Sequence, residues 1–385
     1  MKIAFIGQKG IPARFGGIER YAEDLSVRLV KAGHEVYVYT RPYYTPKREK
    51  EYQGVKLISL PTLRTKHLDA ITHSFLASID VIKKDFDIIH YQNIGPALVS
   101  WIPKLFKRNI KIIATLQSRD YEHKKWGIFA RFMLRTGEFI MCLTADEVIV
   151  VNESMKKYVK EKYGLEAIII PNGTNENEII ASQEIKKWGL EKDNYIVSIS
   201  RLIRHKGIHY LIEAYKTFKT DKKLVIVGEG AFTDDYVKEL KTLAGDNKNI
   251  IFTGNLQGKI LAEVFSNAYL FVQPSESEGL SLALLEAMSY SRGTLVSDIK
   301  ENVEAIGETG FVFKNKDVAS LKEQLGFLME NPELVKEKGE QARVRVKKEY
   351  NWDDITEKMI LTYNKAGRKN FRFNLFFRLF KFHRA

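Results

Sequence analysis

The chain has 385 residues, 44% of them hydrophobic and 11% aromatic, which exceeds the size at which one core stops growing and excludes disorder over most of its length. Its single cysteine, Cys142, excludes an intrachain disulfide and fits a reducing compartment. The net charge of +13 is uneven: residues 1–170 carry 28 Lys and Arg against 18 Asp and Glu, residues 171–365 carry 27 against 30, and the last twenty carry six basic side chains and no acid, unlike a uniformly basic nucleic-acid binder.

The chain opens MKIAFIGQKG, where a four-residue apolar run precedes Gly7. That is too short for a signal peptide and reads as a first strand. No run reaches the roughly 18 apolar residues of a membrane-spanning helix, so the expectation is a soluble or peripheral protein of the cytoplasm. Apolar β-type runs then alternate with longer amphipathic stretches: KIAFIG and 17–32, EVYVYT, DIIHY and 95–107, KIIATL and 126–142, EVIVV and 153–163, then AIIIP. After a turn-rich hinge at Pro171-Asn172-Gly173 the rhythm restarts: YIVSIS and 207–218, KLVIVG and 232–244, NIIFTG and 259–267, LFVQP and 280–290, then GTLVSD. This pattern predicts an α/β protein with two Rossmann-like, doubly wound parallel-sheet domains, 1–170 and 171–350. An amphipathic helix over 351–366 follows and is expected to pack back on the first domain, and 367–385 form a basic aromatic tail. Open α/β sheets bind ligands beyond the carboxyl ends of their strands, so chemistry is expected in the cleft between the two domains.

Three segments carry residues suited to it. The first strand runs into GQKGIPARFGGIER, whose glycines permit tight turns and close approach to an anion ahead of a helix N-terminus. The spacing is not the dinucleotide fingerprint, and a loop without a ligand uses glycine too. In SISRLIRHKG, Arg201 and Lys206 follow a buried strand, where a planar fork and a point charge together suit a diphosphate. An exposed loop that is merely basic reads the same way. In PSESEGLSLALLEAMS, Glu278 and Glu286 bracket seven uncharged residues. The amides of Gly279, Leu280 and Ser281 are placed to donate to an anion, and the two carboxylates to accept from neutral hydroxyls. Hydroxyls plus a diphosphate describe a sugar nucleotide; a capping acid followed by an ordinary helix glutamate is the plainer alternative.

Taken together, FGGIERYAEDL, YQNIGPAL, IPNG, SRLIRHKGIHYLIEAY, VIVGEG, FTGNL and PSESEGLSLALLEAMS resemble the retaining GT-B glycosyltransferases of family 4 over nearly the whole chain. The last segment matches the family's pair of glutamates with seven residues between them, as Glu278 and Glu286. The resemblance implies that Gly16 and Gly17 lie against the donor phosphates and that Arg201 and Lys206 hold the diphosphate. It places Glu278 at the donor sugar, Glu286 at the ribose, and the Gly254–Leu256 segment, with Asn255 and Leu256, at the base. The nucleoside diphosphate sugar is then a co-substrate, with no other cofactor. No metal is expected, since Arg201 and Lys206 take a divalent ion's role and no Asp-x-Asp pair is evident. One departure stands out: many relatives carry a histidine after the strand KIIATL, whereas this chain has Gln117-Ser118-Arg119-Asp120-Tyr121. Glutamine cannot take a proton, but it suffices as a positioning amide if the leaving phosphate receives the acceptor's proton. Gln117 and Asp120 are the acceptor-side candidates.

The tail GRKNFRFNLFFRLFKFHRA interleaves six Phe with six Arg or Lys between 368 and 384. It reads as a membrane-interfacial segment, with Arg372, Phe376, Phe377, Arg378, Phe380 and Lys381 as contacts to an anionic surface. RNA binding and docking on a partner protein are the alternatives. The resulting expectation is a UDP-sugar-dependent transferase, acting on a lipid-linked or growing glycan in polysaccharide biosynthesis and held peripherally at the inner face of the cell membrane. It has no nucleic-acid partner. A donor-binding regulatory subunit without turnover, and a nucleotide-sugar epimerase or phosphorylase of the same fold, are the competing readings.

Overall fold

Runs such as KIAFI, IIHYQ and KIIATL are apolar almost throughout, the composition of strands covered on both faces. A computed structural model describes every residue except 66, 67, 108, 120, 122–126, 218, 232, 368, 370, 371 and 373–385. Two compact units emerge: residues Met1–Asn172 with Trp352–Ala385, and residues Gly173–Asn351.

In the first unit, β1 (Lys2–Ile6), β2 (Glu35–Thr40), β3 (Glu51–Tyr52), β4 (Val55–Ser59), β5 (Ile88–Gln92), β6 (Lys111–Leu116), β7 (Glu147–Val150) and β8 (Ile168–Ile169) form one sheet in the order β3-β4-β2-β1-β5-β6-β7-β8. All neighbours are parallel except β3 and β4, with Ile3 opposite both Val36 and Ile88. Winding runs outward from β1 in one direction and from β5 in the other, so the topological switch point falls between these two strands.

The second unit carries β9 (Tyr195–Ile199), β10 (Lys223–Val227), β11 (Ile250–Gly254), β12 (Leu270–Gln273), β13 (Gly293–Ser297) and β14 (Phe311–Phe313) in an all-parallel sheet ordered β11-β10-β9-β12-β13-β14. Its switch point lies between β9 and β12. Some elements escape a reading by apolar runs. The strand VKLIS is broken by a lysine, and the helices Val318–Glu330 and Pro332–Glu349 follow the last β-type run, with few fully apolar stretches to mark them. Where the sequence suggests a helix from 280, the helix runs Leu282–Ser289, because Ser281 adopts extended backbone and caps it by accepting from the Leu284 amide at 3.3 Å.

The helix Trp352–Lys365 lies in the first unit although it follows the whole second unit in the chain. Its Trp352, Ile355, Met359 and Tyr363 join a buried cluster with Tyr21, Ala22 and Leu25 of the helix Gly17–Lys31. Tyr363 also reaches the sheet, its hydroxyl 2.7 Å from Nδ1 of His90, whose Nε2 lies 2.6 Å from the Thr115 hydroxyl. Burial lowers the pKa of His90 to about 3, so the imidazole is neutral in the folded state. An unfolded chain takes up that proton near pH 6.5. The contribution is therefore complete above 6.5 and lost as the pH falls toward 3, at about 1.4 kcal/mol per pH unit. Burial lowers His73 in the same sense, to about 4, so thermal unfolding followed from pH 7 to 5 is expected to show a slope from both, and His90→Gln to reduce it; parallel profiles for the two proteins would remove His90 as a source.

Beyond this helix the chain turns onto the end of another, Ile128–Thr144. Arg372, which the sequence suggests as a membrane contact, is half-buried and satisfies carbonyls at and just beyond that end. Its guanidinium donates to the oxygens of Cys142 at 2.7 Å and Asp146 at 3.2 Å, and its amide donates to Leu143 O at 3.2 Å. A side chain so engaged is a structural anchor. The other tail residues given that role, Phe376, Phe377, Arg378, Phe380 and Lys381, lie outside the described residues. Among the described residues no helix is long and apolar enough to cross a membrane.

Candidate active site

At the carboxyl edge of the second sheet, the loops after β9 and β12 meet at the switch point. The chain leaves β9 through Ser200 and Arg201 into a short 3-10 turn, Arg204–Lys206, and leaves β12 through Pro274 to Glu278. Two contacts join these loops. The Glu276 amide donates to His205 O at 2.7 Å, and Lys206 Nζ lies 2.5 Å from Glu278 Oε1, with the side chains 15% and 8% exposed. Pairing at this depth keeps the charges of both residues compensated while leaving both reachable. Lys206 and Glu278, expected to serve diphosphate and sugar, are thus direct partners, which no sequence spacing announces.

A glycine makes the junction. Gly207 has φ +70, and a Cβ there would stand 1.8 Å from the Pro274 carbonyl oxygen. A side chain at 207 therefore conflicts with both the backbone region and the loop that carries Glu278. Gly207→Ala is expected to lower the stability of the second unit by more than about 1 kcal/mol and to reduce turnover with it. Urea unfolding and donor turnover of the variant check this; a wild-type midpoint would show that the loops separate at little cost.

Glu276 fixes the β12 loop from the other side, accepting from the Tyr210 hydroxyl at 3.0 Å and pairing with Lys316 at 3.3 Å. Burial, and then this bond to Glu276, push the Tyr210 hydroxyl up to about 12, so it stays a donor at ordinary pH. Neither Glu276 nor Tyr210 is singled out by the sequence, since a glutamate in a Ser/Glu loop and a helix tyrosine look like surface residues. Arg201 is exposed, and its guanidinium has no hydrogen bond or ion pair with a described residue. It can therefore turn to a ligand without breaking a structural contact.

Glu286 is half-buried in the second turn of the helix Leu282–Ser289. Gly279 and Leu280 are buried ahead of that helix, while the Ser281 hydroxyl is taken up in capping it. On the opposite side of β9, the turn after β11 begins at Gly254 with φ +72. The Asn255 amide there lies 3.4 Å from Glu229 Oε1, in the loop that follows β10. Asn255 is exposed and Leu256 half-buried. Four successive strands, β11, β10, β9 and β12, therefore present Asn255 and Leu256, Glu229, Arg201 with Lys206, and Glu278 along one edge.

Gly16 and Gly17 belong to the first unit. Gly16 has φ +102 and precedes the helix Gly17–Lys31. The loop ahead of it is tied to that helix's acids: Lys9 N donates to Glu19 Oε1 at 3.0 Å and Ala13 N to Glu23 Oε2 at 2.5 Å. The Tyr44 oxygen accepts from the amides of Arg14 and Phe15 at 2.6 and 3.1 Å. The glycine-rich segment is therefore pre-set rather than slack, and Glu19, Glu23 and Tyr44 are supports that motif reading passes over. Gln117 follows β6 and is 7% exposed, and its buried Nε2 has no hydrogen-bond partner among the described residues. Asp120 lies outside them. Also among the described residues, no group of three or more His, Cys, Asp or Glu side chains is arranged to hold a metal ion.

Comparison with known proteins fits this architecture. The family model "Glycosyl transferases group 1" matches residues 181–345, and "Glycosyltransferase Family 4" matches residues 15–178. An uncharacterized glycosyltransferase of Methanocaldococcus jannaschii is 25% identical across 95% of this chain and 98% of its own. The capsular polysaccharide biosynthesis glycosyltransferase CapM of Staphylococcus aureus is 24% identical across 61% of this chain and 66% of its own. Among solved structures, HepE of Anabaena in complex with UDP-glucose superposes with a TM-score of 0.78 at 17% identity, covering 94% of this chain and 99% of that one. The two parallel-sheet units are those of the GT-B class of glycosyltransferases. Within that class the chain belongs to glycosyltransferase family 4.

Proposed function

We propose that this glycosyltransferase is retaining and metal-independent, and that it moves a sugar from a nucleoside diphosphate sugar, with UDP favoured, to a lipid-linked or growing glycan in cell-surface polysaccharide synthesis. The observation that carries the reading is the Lys206–Glu278 pair at the switch point of the second sheet, beside an Arg201 free to turn to a ligand. Arg201 and Lys206 take the diphosphate, and Lys206 exchanges Glu278 for phosphate oxygen as the donor seats. Glu278, released from the ion pair, accepts from hydroxyls of the donor sugar, Glu286 from the ribose, and Asn255 and Leu256 border the base. The sugar's bond to the diphosphate oxygen breaks as a bond to the acceptor oxygen forms on the same face. The acceptor's proton passes to the departing phosphate, whose charge the two cations stabilise. No base is needed in this scheme, and Gln117, with an unpartnered amide nitrogen, supplies a hydrogen bond rather than a proton acceptor.

Support for UDP is the fold shared with HepE, which binds UDP-glucose. Support for a polysaccharide setting is the capsular-polysaccharide relative. The basic first unit and tail support a place in the cytoplasm, peripherally at the inner face of an anionic membrane. The test is nucleotide release from UDP-, GDP- and dTDP-sugars, with and without lipid extract from the source organism. Lipid-dependent release from one donor establishes the transferase and names its sugar. Binding of a donor without release in any condition points to the second reading, a donor-binding subunit that regulates a partner, which Gln117 in place of a histidine would favour.

A further inference from the structure

The helix Ile128–Thr144 is anchored most deeply at its C-terminal end. Its C-terminal part is buried at Gly137, Glu138, Met141, Cys142, Leu143 and Thr144. Gly137 packs so closely that a Cβ would stand 2.4 Å from Ile94 O. Between 128 and 136 no residue is fully buried: Ala130, Arg131, Met133, Leu134 and Thr136 are half-buried along one side, and the other side is exposed. The exposed side chains on that side are not those of a solvated helix: Ile128 is 89% exposed, Phe129 77% and Phe132 63%. At spacings of three and four residues they form one ridge. Water gains nothing from such a ridge, and clustered exposed apolar side chains mark a binding surface.

The charge around the ridge identifies what it meets. Residues 128–137, IFARFMLRTG, contain Arg131 and Arg135 and no acid. The first turn has no acid to offset the positive end of the helix dipole, and the N-cap Gly127 supplies no side-chain acceptor. Apolar rings interleaved with cations, the exposed Arg135 and the half-buried Arg131, match a bilayer surface, in which rings enter the headgroup and acyl boundary and cations stay with the phosphates. We infer that the first two turns of the helix Ile128–Thr144, through Ile128, Phe129 and Phe132 with Arg131 and Arg135, are a docking surface for an anionic lipid bilayer. This rests on the peripheral-membrane reading above and moves its principal contact from the tail to the body of the first unit.

The test is co-sedimentation of the full chain with vesicles of phosphatidylglycerol and phosphatidylcholine, and with phosphatidylcholine alone. Phe129→Glu/Phe132→Glu is expected to cut binding to the anionic vesicles at least about tenfold at an unchanged unfolding midpoint, since both positions are exposed. Wild-type binding by that variant overturns the proposal; if Arg378→Glu/Lys381→Glu then abolishes binding, the membrane reading survives with the tail as contact. A wild-type chain that binds neither vesicle overturns both, and leaves the transferase reading to nucleotide release. Conversion of an oligomer to a monomer by Phe129→Glu/Phe132→Glu, with lipid binding kept, assigns the ridge to a second copy of the chain and also overturns the proposal.

Discussion

Lys206→Ala is expected to lower sugar transfer by about 10²–10³-fold while the protein remains folded. Lys206 lies at the switch point of the second sheet, on the loop after β9, where under the proposed function it compensates charge on a departing diphosphate. Arg201 is then the one cation of that loop left for the diphosphate, because Arg204 is held by Glu239, and Lys316 is held by Glu276. The loss therefore belongs in the turnover number more than in the Michaelis constant, since that charge grows as the bond breaks. Stability is expected to drop by about 1–3 kcal/mol, because a carboxylate only 8% exposed loses its partner. Glu278→Gln separates the two roles. It ends the ion pair without leaving a lone charge, and its loss of activity reflects weaker contact with the sugar. Steady-state kinetics of both variants decide the matter: turnover within tenfold of wild type for Lys206→Ala would remove the lysine from the mechanism.

The second large effect concerns folding. Trp352→Ala is expected to destabilise the first unit by about 3–5 kcal/mol, the range for emptying a buried aromatic position. Trp352 is 3% exposed, and its ring centroid lies 5.8 Å from that of Tyr21, with the Arg28 guanidinium 5.1 Å away. A chain ending at Asn351 also loses Ile355, Met359 and Tyr363, each burying a side chain worth about 1.5–3 kcal/mol. The total rivals the whole stability of an ordinary domain. Hydrogen exchange on the shortened chain should show the first unit open and the second protected. Protection of β1, β5 and β6 in that chain would mean the sheet holds without its last helix.

What the sequence discloses follows the physics of each feature. Buried parallel strands are legible because both faces demand apolar residues, so β1, β5, β6, β9, β10 and β12 stand out as runs. The strand Val55–Ser59 has a single lysine on its exposed side, and the pair Glu51–Tyr52 has no pattern at all. At the site, residue types and loop positions suggest Arg201, Lys206, Glu278 and Glu286 before any coordinates. The contact between Lys206 and Glu278 is not legible, because 72 residues separate them and only the order of β9 and β12 in the sheet brings them together. The supporting residues Glu19, Glu23, Tyr44 and Glu276 act through hydrogen bonds and ion pairs to loop amides or neighbouring side chains, which leave no trace in spacing or composition. The carbonyl contacts of Arg372 are likewise absent from the sequence pattern, since a cation in an aromatic, basic tail gives no sign of the helix end it bonds.

The first unit is built from two pieces of chain separated by the entire second unit, and this has a consequence for synthesis. On the ribosome, residues 1–172 emerge with their sheet residues complete but without Trp352, Ile355, Met359 and Tyr363 to cover it. The face that receives those side chains includes Tyr21, Ala22, Leu25, Ile88 and Ile113, and it stays open until the second unit has been made. The second unit, drawn from one continuous stretch, is free to fold first. Vectorial synthesis thus reverses the order of the units: the amino-terminal one is last to close, and until then it presents an apolar face for chaperones to guard.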